Sequence, residues 1–224
     1  SMSFIRSRFL YKGLVRVISN GVTPLNTTPK ISESLRLQTF LQGDHFALHI
    51  SNFSNRKNPE LLKSIILELA SSKIKFVVAG KGWNEYFENL GSSIEDARSG
   101  LLVFDFVTEE FKWELLRQAD VFVFPSFYEG FGMPSIEALS VGTPCVVSDI
   151  PASREVLGNG GTLLSLDSAP SYWAKEVLAN AARKNTDKSL LEVKRNVIQR
   201  YNWRESAEKT IEMYSNLYYD QSSN

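Results

Sequence analysis

The stretch VFVFPSFYEGFGMPSIEALSVGTPCVVSD, residues 121–149, decides how the rest of this chain is interpreted. Its apolar run Val121–Phe124 predicts a buried strand, and the following loop Pro125–Gly132 carries two glycines and one acid. A Thr-Pro pair then breaks the chain before Cys145–Ser148, a second apolar run that predicts another buried strand. With a helix between the two strands, the order is strand, glycine loop, helix, strand.

The helix between these strands has clear start and stop signals. Pro134 suits its first position, and Gly142 suits the position just past its end. In a parallel unit of this kind the loop lies at the carboxyl end of the sheet, where the N–H groups of the helix start favour an anion. Two acids stand at this point, Glu129 in the loop and Glu137 in the predicted first turn of the helix.

The composition is that of an ordinary globular protein, with 43% hydrophobic and 22% charged residues among 224. Lys and Arg balance Asp and Glu at 25 each, so no net field points to nucleic acid or to an anionic membrane surface. No apolar run reaches the roughly 20 residues of a membrane span, and no signal peptide is visible. With its single cysteine, the sequence predicts a cytoplasmic protein that binds a small ligand.

From residue 46 onward, short apolar runs alternate with amphipathic segments. This alternation predicts an α/β fold: a doubly wound, Rossmann-like parallel sheet with extra C-terminal helices. In the last of these helices, at 203–218, an apolar stripe that includes Trp203, Ile211, Tyr214 and Tyr218 predicts packing in the core or against another domain. Strands are predicted at 46–51, 74–79, 101–104, 121–124, 145–148 and 162–164.

The common strand order 3-2-1-4-5-6 would make strands one and four neighbours, with a reversal of the chain between them. The loop after strand one carries Arg56 and Lys57, and the loop after strand four carries Glu129. These loops are expected to meet in one crevice, where the two cations and the N–H groups around Gly132–Pro134 would hold a phosphate. An ionised Glu137 would accept from the vicinal hydroxyls of a ribose, and Glu129 would face the hydroxyls of a sugar.

Several common types of site are not supported. Neither a GxGxxG fingerprint nor a GxxxxGKS/T loop follows the first strand, which argues against a dehydrogenase or a P-loop enzyme. His45 and His49 flank or lie in the first strand and are interpreted as structural, and Cys145 as a small buried strand residue. No His/Cys cluster has the spacing of a metal site.

The run EGFGMPSIEA at residues 129–138 resembles the two-glutamate motif of the retaining glycosyltransferases of family 4, whose GT-B fold consists of two facing Rossmann-like domains. The resemblance covers residues 46–218. The other segments that match are Arg56-Lys57-Asn58, Gly80-Lys81-Gly82, Ala119–Val121 and Pro144–Ser148.

The resemblance implies roles for individual residues. Arg56 and Lys57 would bind the donor diphosphate and stabilise the leaving nucleotide, and Glu129 would hold the transferred sugar, so that these three are the implied catalytic residues. Glu137 would bind the ribose. The other implied donor-binding residues are Gly82, Val107 near the base, and the backbone of Gly130, Phe131, Gly132, Met133 and Pro134.

The resemblance also implies the domain organisation. Residues 31–224 would be the nucleotide-sugar-binding domain, residues 1–30 a cloning remnant and interdomain connection, and the N-terminal acceptor domain would be absent. The parent enzyme would transfer a hexose, with retention, from a nucleoside-diphosphate sugar to a hydroxyl of a saccharide or lipid-linked saccharide in surface polysaccharide biosynthesis. No metal and no cofactor are expected. The enzyme would be cytoplasmic, or peripheral on the inner face of the membrane, and this chain alone would bind its donor without transferring sugar.

Two other classes fit the same residues. A non-catalytic nucleotide-sugar-binding module would bind the nucleotide without turnover, because a fold alone does not fix a function. A GT-B sugar-nucleotide epimerase would act without any acceptor. A GT-B phosphorylase would require a lysine context for its cofactor that the sequence does not show.

Overall fold

Six parallel strands form one sheet in the described part of the chain, in the order β3-β2-β1-β4-β5-β6. The α/β class and the strand order predicted from the sequence are confirmed, although the first strand begins and ends one residue earlier than predicted. The structure is a computed structural model that describes residues 16–26, 31–94, 97, 99–158 and 160–221. The strands are β1 His45–Ile50, β2 Ile74–Ala79, β3 Leu101–Phe104, β4 Val121–Phe124, β5 Cys145–Ser148 and β6 Gly161–Leu164.

Helices and short turns connect these strands. Two compact units divide the chain: residues 24–197, which contain the sheet, and residues 1–23 together with 198–224. The predicted boundary between residues 30 and 31 stays a prediction. The helices are α1 Ile31–Leu41, α2 Pro59–Leu69, α3 Trp83–Asn89, α4 Glu109–Gln118, α5 Met133–Val141, α6 Pro151–Leu157, α7 Pro170–Arg183, α8 Ser189–Arg200 and α9 Trp203–Gln221.

Strands β4 and β5 are buried at every position, which requires cover on both faces of the sheet. Helices α5 and α7 pack against both strands. Helix α2 packs against β2 and α7, and its apolar residues recur at helical spacing and are buried as predicted. Its start is fixed by Asn58, whose side chain accepts a hydrogen bond from the Leu61 amide at 3.3 Å. The buried apolar positions of α2 are Leu61, Leu62, Ile65, Ile66 and Leu69.

The carboxyl ends of β1, β2 and β3 are tied together around Gly80. The Ser51 amide donates to the carbonyl of Ala79 at 2.9 Å, and the Gly80 amide donates to the carbonyl of Phe104 at 2.8 Å. Gly80 has a φ of +136°, and a Cβ added there would lie 2.0 Å from the carbonyl oxygen of Ser51. Only glycine therefore allows the strand ends to approach this closely.

The single cysteine lies in the interior strand β5. Cys145 is fully buried, and its thiol is 3.6 Å from the carbonyl oxygens of Ser135 and Thr143. Burial raises the pKa of this thiol above its usual 9.0. The prediction of a small buried strand residue is confirmed.

The second unit comprises residues 1–23 and 198–224, of which 16–23 and 198–221 are described. The amide of Val22 donates to the carbonyl of Tyr201 at 2.8 Å, and the Ser206 hydroxyl donates to the carbonyl of Ser19 at 2.5 Å. These bonds hold the N-terminal segment along the start of α9.

The apolar stripe of α9 does not lie in a core. Trp203, Ile211 and Tyr214 are 50%, 65% and 70% exposed. The core alternative for this stripe was wrong, because these three side chains are largely exposed. Packing against another domain stays a prediction, and the side chain of Tyr218 lies outside the described residues.

Within the described residues, no helix combines the length and the apolar character that crossing a lipid bilayer demands.

Replacing Gly80 with alanine should destabilise the chain by about 2–3 kcal/mol, because the new methyl group would force the ends of β1 and β2 apart. Gly100→Ala is the matched control, since its Cβ would meet the nearest atom at an ordinary 3.7 Å. Urea unfolding should show a change of less than about 0.5 kcal/mol for this control. Equal losses in the two variants would contradict the close approach at Gly80.

Candidate active site

The loop after β1 contains a short 3-10 turn, Asn55–Lys57. Asn58 ends this turn in the left-handed region, with a φ of 56°, and also begins helix α2. The turn is joined to the loop after β4 by a backbone bond, in which the Phe127 amide donates to the carbonyl of Arg56 at 2.9 Å. The two loops predicted to share a crevice are therefore in contact.

Glu129 connects these loops through both of its carboxylate oxygens. The ammonium of Lys57 donates to Oε1 at 2.6 Å, and the guanidinium of Arg56 donates to Oε2 at 2.8 Å. Arg56 also donates to the carbonyl of Tyr128 at 3.1 Å. The side chains of Lys57 and Glu129 are each 8% exposed, whereas that of Arg56 is 45% exposed. The structure thus brings the three predicted catalytic residues into one ion-paired cluster.

Lys57 is charged in an apolar setting. Burial lowers its pKa below the usual 10.5, against the hydrogen bond and the charge of Glu129, while the neighbouring charge of Arg56 lowers it further. The ammonium also lies 4.5 Å from the ring centre of Phe124, a distance at which a cation is attracted to an aromatic face. Lys57 is therefore fixed by Glu129 and Phe124 together.

Glu137 belongs to a second ion-paired cluster. It accepts a hydrogen bond at 2.9 Å from Lys112 on α4, which also pairs with Glu109 at 2.8 Å. Burial raises the pKa of Glu137 above its usual 4.5, and the nearby Lys112 only partly offsets this. Burial also disfavours the charged form of Lys112. The hydrogen bonds and charges of Glu109 and Glu137 outweigh this effect and raise the pKa of Lys112.

The position of Glu137 in its helix was predicted incorrectly. Helix α5 begins at Met133, one residue before the predicted start at Pro134, because Gly132 adopts the left-handed conformation and acts as N-cap. Glu137 is therefore the fifth helical residue and lies beyond the first turn. The first turn itself contains no acid. It is held by Lys112 rather than by the helix start.

The remaining predicted donor-binding positions follow the carboxyl ends of β2, β3 and β4. A Cβ on Gly130 or on Gly132 would meet no atom within 4 Å, so open space adjoins both glycines. Gly82 has a φ of +88°, and its amide donates to the carboxylate of Asp105 at 3.1 Å. Val107 is half-buried and immediately precedes Thr108, the N-cap of α4. Phe131, Met133 and Pro134 are half-buried at the start of α5.

Two partners at this end of the sheet could not be identified from the sequence. Lys112, the partner of Glu137, gave one signal, since it follows Glu109 by three residues on a helix. The other is Ser51, just after β1, whose hydroxyl lies 2.7 Å from Nε2 of His49. His49 is fully buried, in agreement with its structural interpretation.

No group of three or more His, Cys, Asp or Glu side chains able to hold a metal ion occurs in the described ranges. The expected absence of a metal and of a cofactor stays a prediction, as do the roles of the individual site residues.

Comparison with known proteins identifies the family of this chain. The family described as glycosyl transferases group 1 matches residues 32–216. The chain belongs to this family. This result confirms the resemblance to GT-B glycosyltransferases, whereas membership of family 4 stays a prediction.

The relatives of this group 1 glycosyltransferase chain are longer than it is. An uncharacterized glycosyltransferase of Methanocaldococcus jannaschii, MJ1607, is 28% identical over 89% of this chain and 53% of its own length. The O-antigen chain mannosyltransferase B of Escherichia coli is 29% identical over 77% of this chain and 46% of its own length. The chain therefore spans about half the length of these two relatives.

Solved structures share the fold. A glycosyltransferase from Rickettsia africae superposes with a TM-score of 0.82 at 17% identity, over 96% of this chain and 60% of that one. Anabaena Alr3699/HepE, solved in complex with UDP-glucose, has a TM-score of 0.75 at 20% identity, over 90% of this chain and 57% of that one. At such identities the likeness establishes the Rossmann-like fold alone.

Lys57→Met should destabilise the chain by about 3 kcal/mol, because it leaves a buried carboxylate with only the half-exposed Arg56 as its cation. Arg56→Met is the matched control and should cost less than about 1 kcal/mol, because water screens that pair. Urea unfolding measures both losses. Adding Glu129→Gln to Lys57→Met should recover part of the stability, and equal, additive losses would contradict the buried pair.

The raised pKa of Glu137 predicts a defined pH dependence. The native state holds the proton of this carboxyl more tightly than the unfolded state, so wild type should lose stability relative to Glu137→Gln as the pH rises above 4.5 through the raised pKa. Unfolding free energies at pH 4, 5, 6 and 7 measure the difference. A difference that stays constant, or that favours wild type as the pH rises, would contradict the assignment.

Proposed function

We propose that this chain is the donor-binding part of a glycosyltransferase that transfers a hexose, with retention, from a nucleoside-diphosphate sugar to a hydroxyl of a saccharide or lipid-linked acceptor. The observation that carries this proposal is the pairing of Glu129 with both Arg56 and Lys57 at the carboxyl ends of β1 and β4. In a doubly wound sheet this crevice is where ligands bind.

Arg56 and Lys57 would bind the donor diphosphate. Each cation uses some of its N–H groups on Glu129, and an ammonium has three donors and a guanidinium five, so each retains donors for phosphate oxygens. When the bond between the sugar and the diphosphate breaks, negative charge develops on the leaving phosphate. Cations already fixed by Glu129 stabilise that charge with little reorganisation.

Glu129 would then bind the transferred sugar. Once phosphate oxygens share its cations, the carboxylate can accept from sugar hydroxyls in the open space beside Gly130 and Gly132. Glu137 would accept from the ribose hydroxyls, and the backbone near Val107 would contact the base. The link between Lys112 and Glu137 supports this arrangement, because it joins the helix that follows Val107 to the helix that carries Glu137.

The relatives support a role in the synthesis of surface polysaccharides. The mannosyltransferase of Escherichia coli is named for an O-antigen chain. Separately, Anabaena HepE was solved with UDP-glucose, which is a nucleoside-diphosphate hexose of the kind proposed as donor. Because this chain spans about half of such proteins, we infer that the acceptor is bound by the other half. The whole enzyme would be cytoplasmic or peripheral on the inner membrane face, and it would need no metal.

Calorimetric titration tests the binding of the donor. Wild type should bind at least one of UDP, GDP and ADP, and Arg56→Met should weaken that binding by about tenfold or more, because it loses a charge-assisted bond. Lys175→Met removes one exposed positive charge from α7 and should leave the affinity unchanged. Absence of binding at millimolar nucleotide, or equal losses in the two variants, would overturn the proposal.

Glu129→Gln should have opposite effects on two ligands. The carboxylate competes with phosphate for Arg56 and Lys57, so removing its charge should strengthen the binding of the nucleoside diphosphate. The same change removes an acceptor for sugar hydroxyls, so the preference for the sugar nucleotide over the diphosphate should fall. Titration with both ligands measures the ratio, and a ratio that is unchanged would contradict the sugar-binding role.

A further inference from the structure

A chain of two hydrogen bonds links β4 to the residue that follows β1. It joins Val123 of β4, His49 of β1 and Ser51, and it is called the relay below. The ring of His49 is fully buried, and its Nδ1 lies 2.9 Å from the carbonyl oxygen of Val123. A carbonyl oxygen can only accept a hydrogen bond. Nδ1 therefore carries a hydrogen and donates it to Val123.

The other ring nitrogen must then act as an acceptor. Burial, with a smaller contribution from the nearby charge of Lys57, lowers the pKa of His49 to about 3, so the ring is neutral and Nε2 carries no hydrogen. The Ser51 hydroxyl lies 2.7 Å from Nε2. Ser51 therefore donates its single hydroxyl hydrogen to the ring.

The backbone of Ser51 and the ring of His49 are both held in place. The Trp83 indole donates to the carbonyl of Ser51 at 2.7 Å, and the Ser51 amide donates to β2. The His49 ring packs against the rings of Trp83 and Phe124, with centres 5.2 and 5.4 Å apart. Phe124 also contacts Lys57, so the relay adjoins the cluster of Arg56, Lys57 and Glu129.

We propose that Ser51 is a specificity-determining residue whose Oγ accepts a hydrogen bond from a hydroxyl of the bound donor, and that His49 is the positioning residue that makes it an acceptor. Ser51 is half-buried and directly follows β1. A hydroxyl that donates its hydrogen keeps both of its lone pairs as acceptors. An ionised phosphate oxygen has no hydrogen to donate. Ser51 therefore recognises a hydroxyl and does not bind the diphosphate.

This proposal rests on the proposed function and adds a contact to it. The hydroxyl belongs either to the ribose or to the transferred sugar, which share the same chemistry. A site with a fixed acceptor discriminates strongly against a ligand that lacks the matching hydroxyl, because the acceptor is then left unpaired.

Titration of Ser51→Ala tests the proposal with three ligands: inorganic pyrophosphate, the best-bound nucleoside diphosphate and its hexose conjugate. Affinity for the ligand that carries the recognised hydroxyl should fall by about tenfold, while affinity for pyrophosphate stays unchanged. A loss for the sugar nucleotide alone assigns a sugar hydroxyl. Equal losses for both nucleotides assign the ribose, and the 2′,3′-dideoxynucleotide should then show no loss.

Ser51→Thr keeps the hydroxyl and should retain most of the wild-type affinity. His49→Phe keeps an aromatic ring but removes the acceptor, which frees the Ser51 hydroxyl to donate, so this variant should bind pyrophosphate more tightly than wild type. A pyrophosphate affinity that falls as much as the nucleotide affinity in Ser51→Ala, or no loss for any ligand, would overturn the proposal. Wild type that binds no nucleotide would overturn the proposed function as well.

Discussion

A single buried carboxylate holds the candidate site together. Glu129 is almost inaccessible to water, and each of its carboxylate oxygens accepts a hydrogen bond from one cation. The two cations, Arg56 and Lys57, lie on the turn after β1. An unpaired carboxylate in this position would be costly, so folding of the loop after β4 is coupled to the placement of the turn after β1. This coupling requires β1 and β4 to be adjacent, which follows from the reversal of strand order in the middle of the sheet.

The same pairing sets the electrostatic character of the crevice. Two cations and one acid leave a net positive charge, so the site is prepared for an anion while remaining compatible with a folded, ligand-free protein. Helix α5 adds N–H groups next to two glycines that leave space for a ligand. The site therefore offers cations to a diphosphate and acceptors to hydroxyls. A nucleotide sugar carries both of these groups.

Much of this arrangement was predictable because its determinants are local. The runs at 74–79, 101–104, 121–124 and 145–148 became strands with the predicted bounds, since short apolar segments bounded by turn residues have few other solutions. The meeting of Arg56, Lys57 and Glu129 followed once the strand order was assumed. Lys112 and Ser51 could not be assigned, because their roles depend on side-chain directions across elements far apart in sequence.

The errors have equally physical causes. Glu137 was assigned to the first turn of α5 because Pro134 was taken as the helix start, whereas the left-handed Gly132 begins the helix one residue earlier. The core alternative for the stripe on α9 came from its periodicity alone, whereas packing against another domain stays a prediction. A period of 3.6 residues identifies an apolar face, but it does not identify what covers that face.

The reactivity of the single thiol can be used to measure how often the sheet opens around β5. Cys145 lies in β5, between β4 and β6, and a thiol reacts as the thiolate, which burial disfavours here. A thiol-reactive dye can therefore reach the sulfur only when β5 is freed from its neighbours. The labelling rate thus reports how often β5 separates from its neighbours, and a ligand in the crevice lowers the logarithm of that rate in proportion to the free energy of stabilisation that it adds.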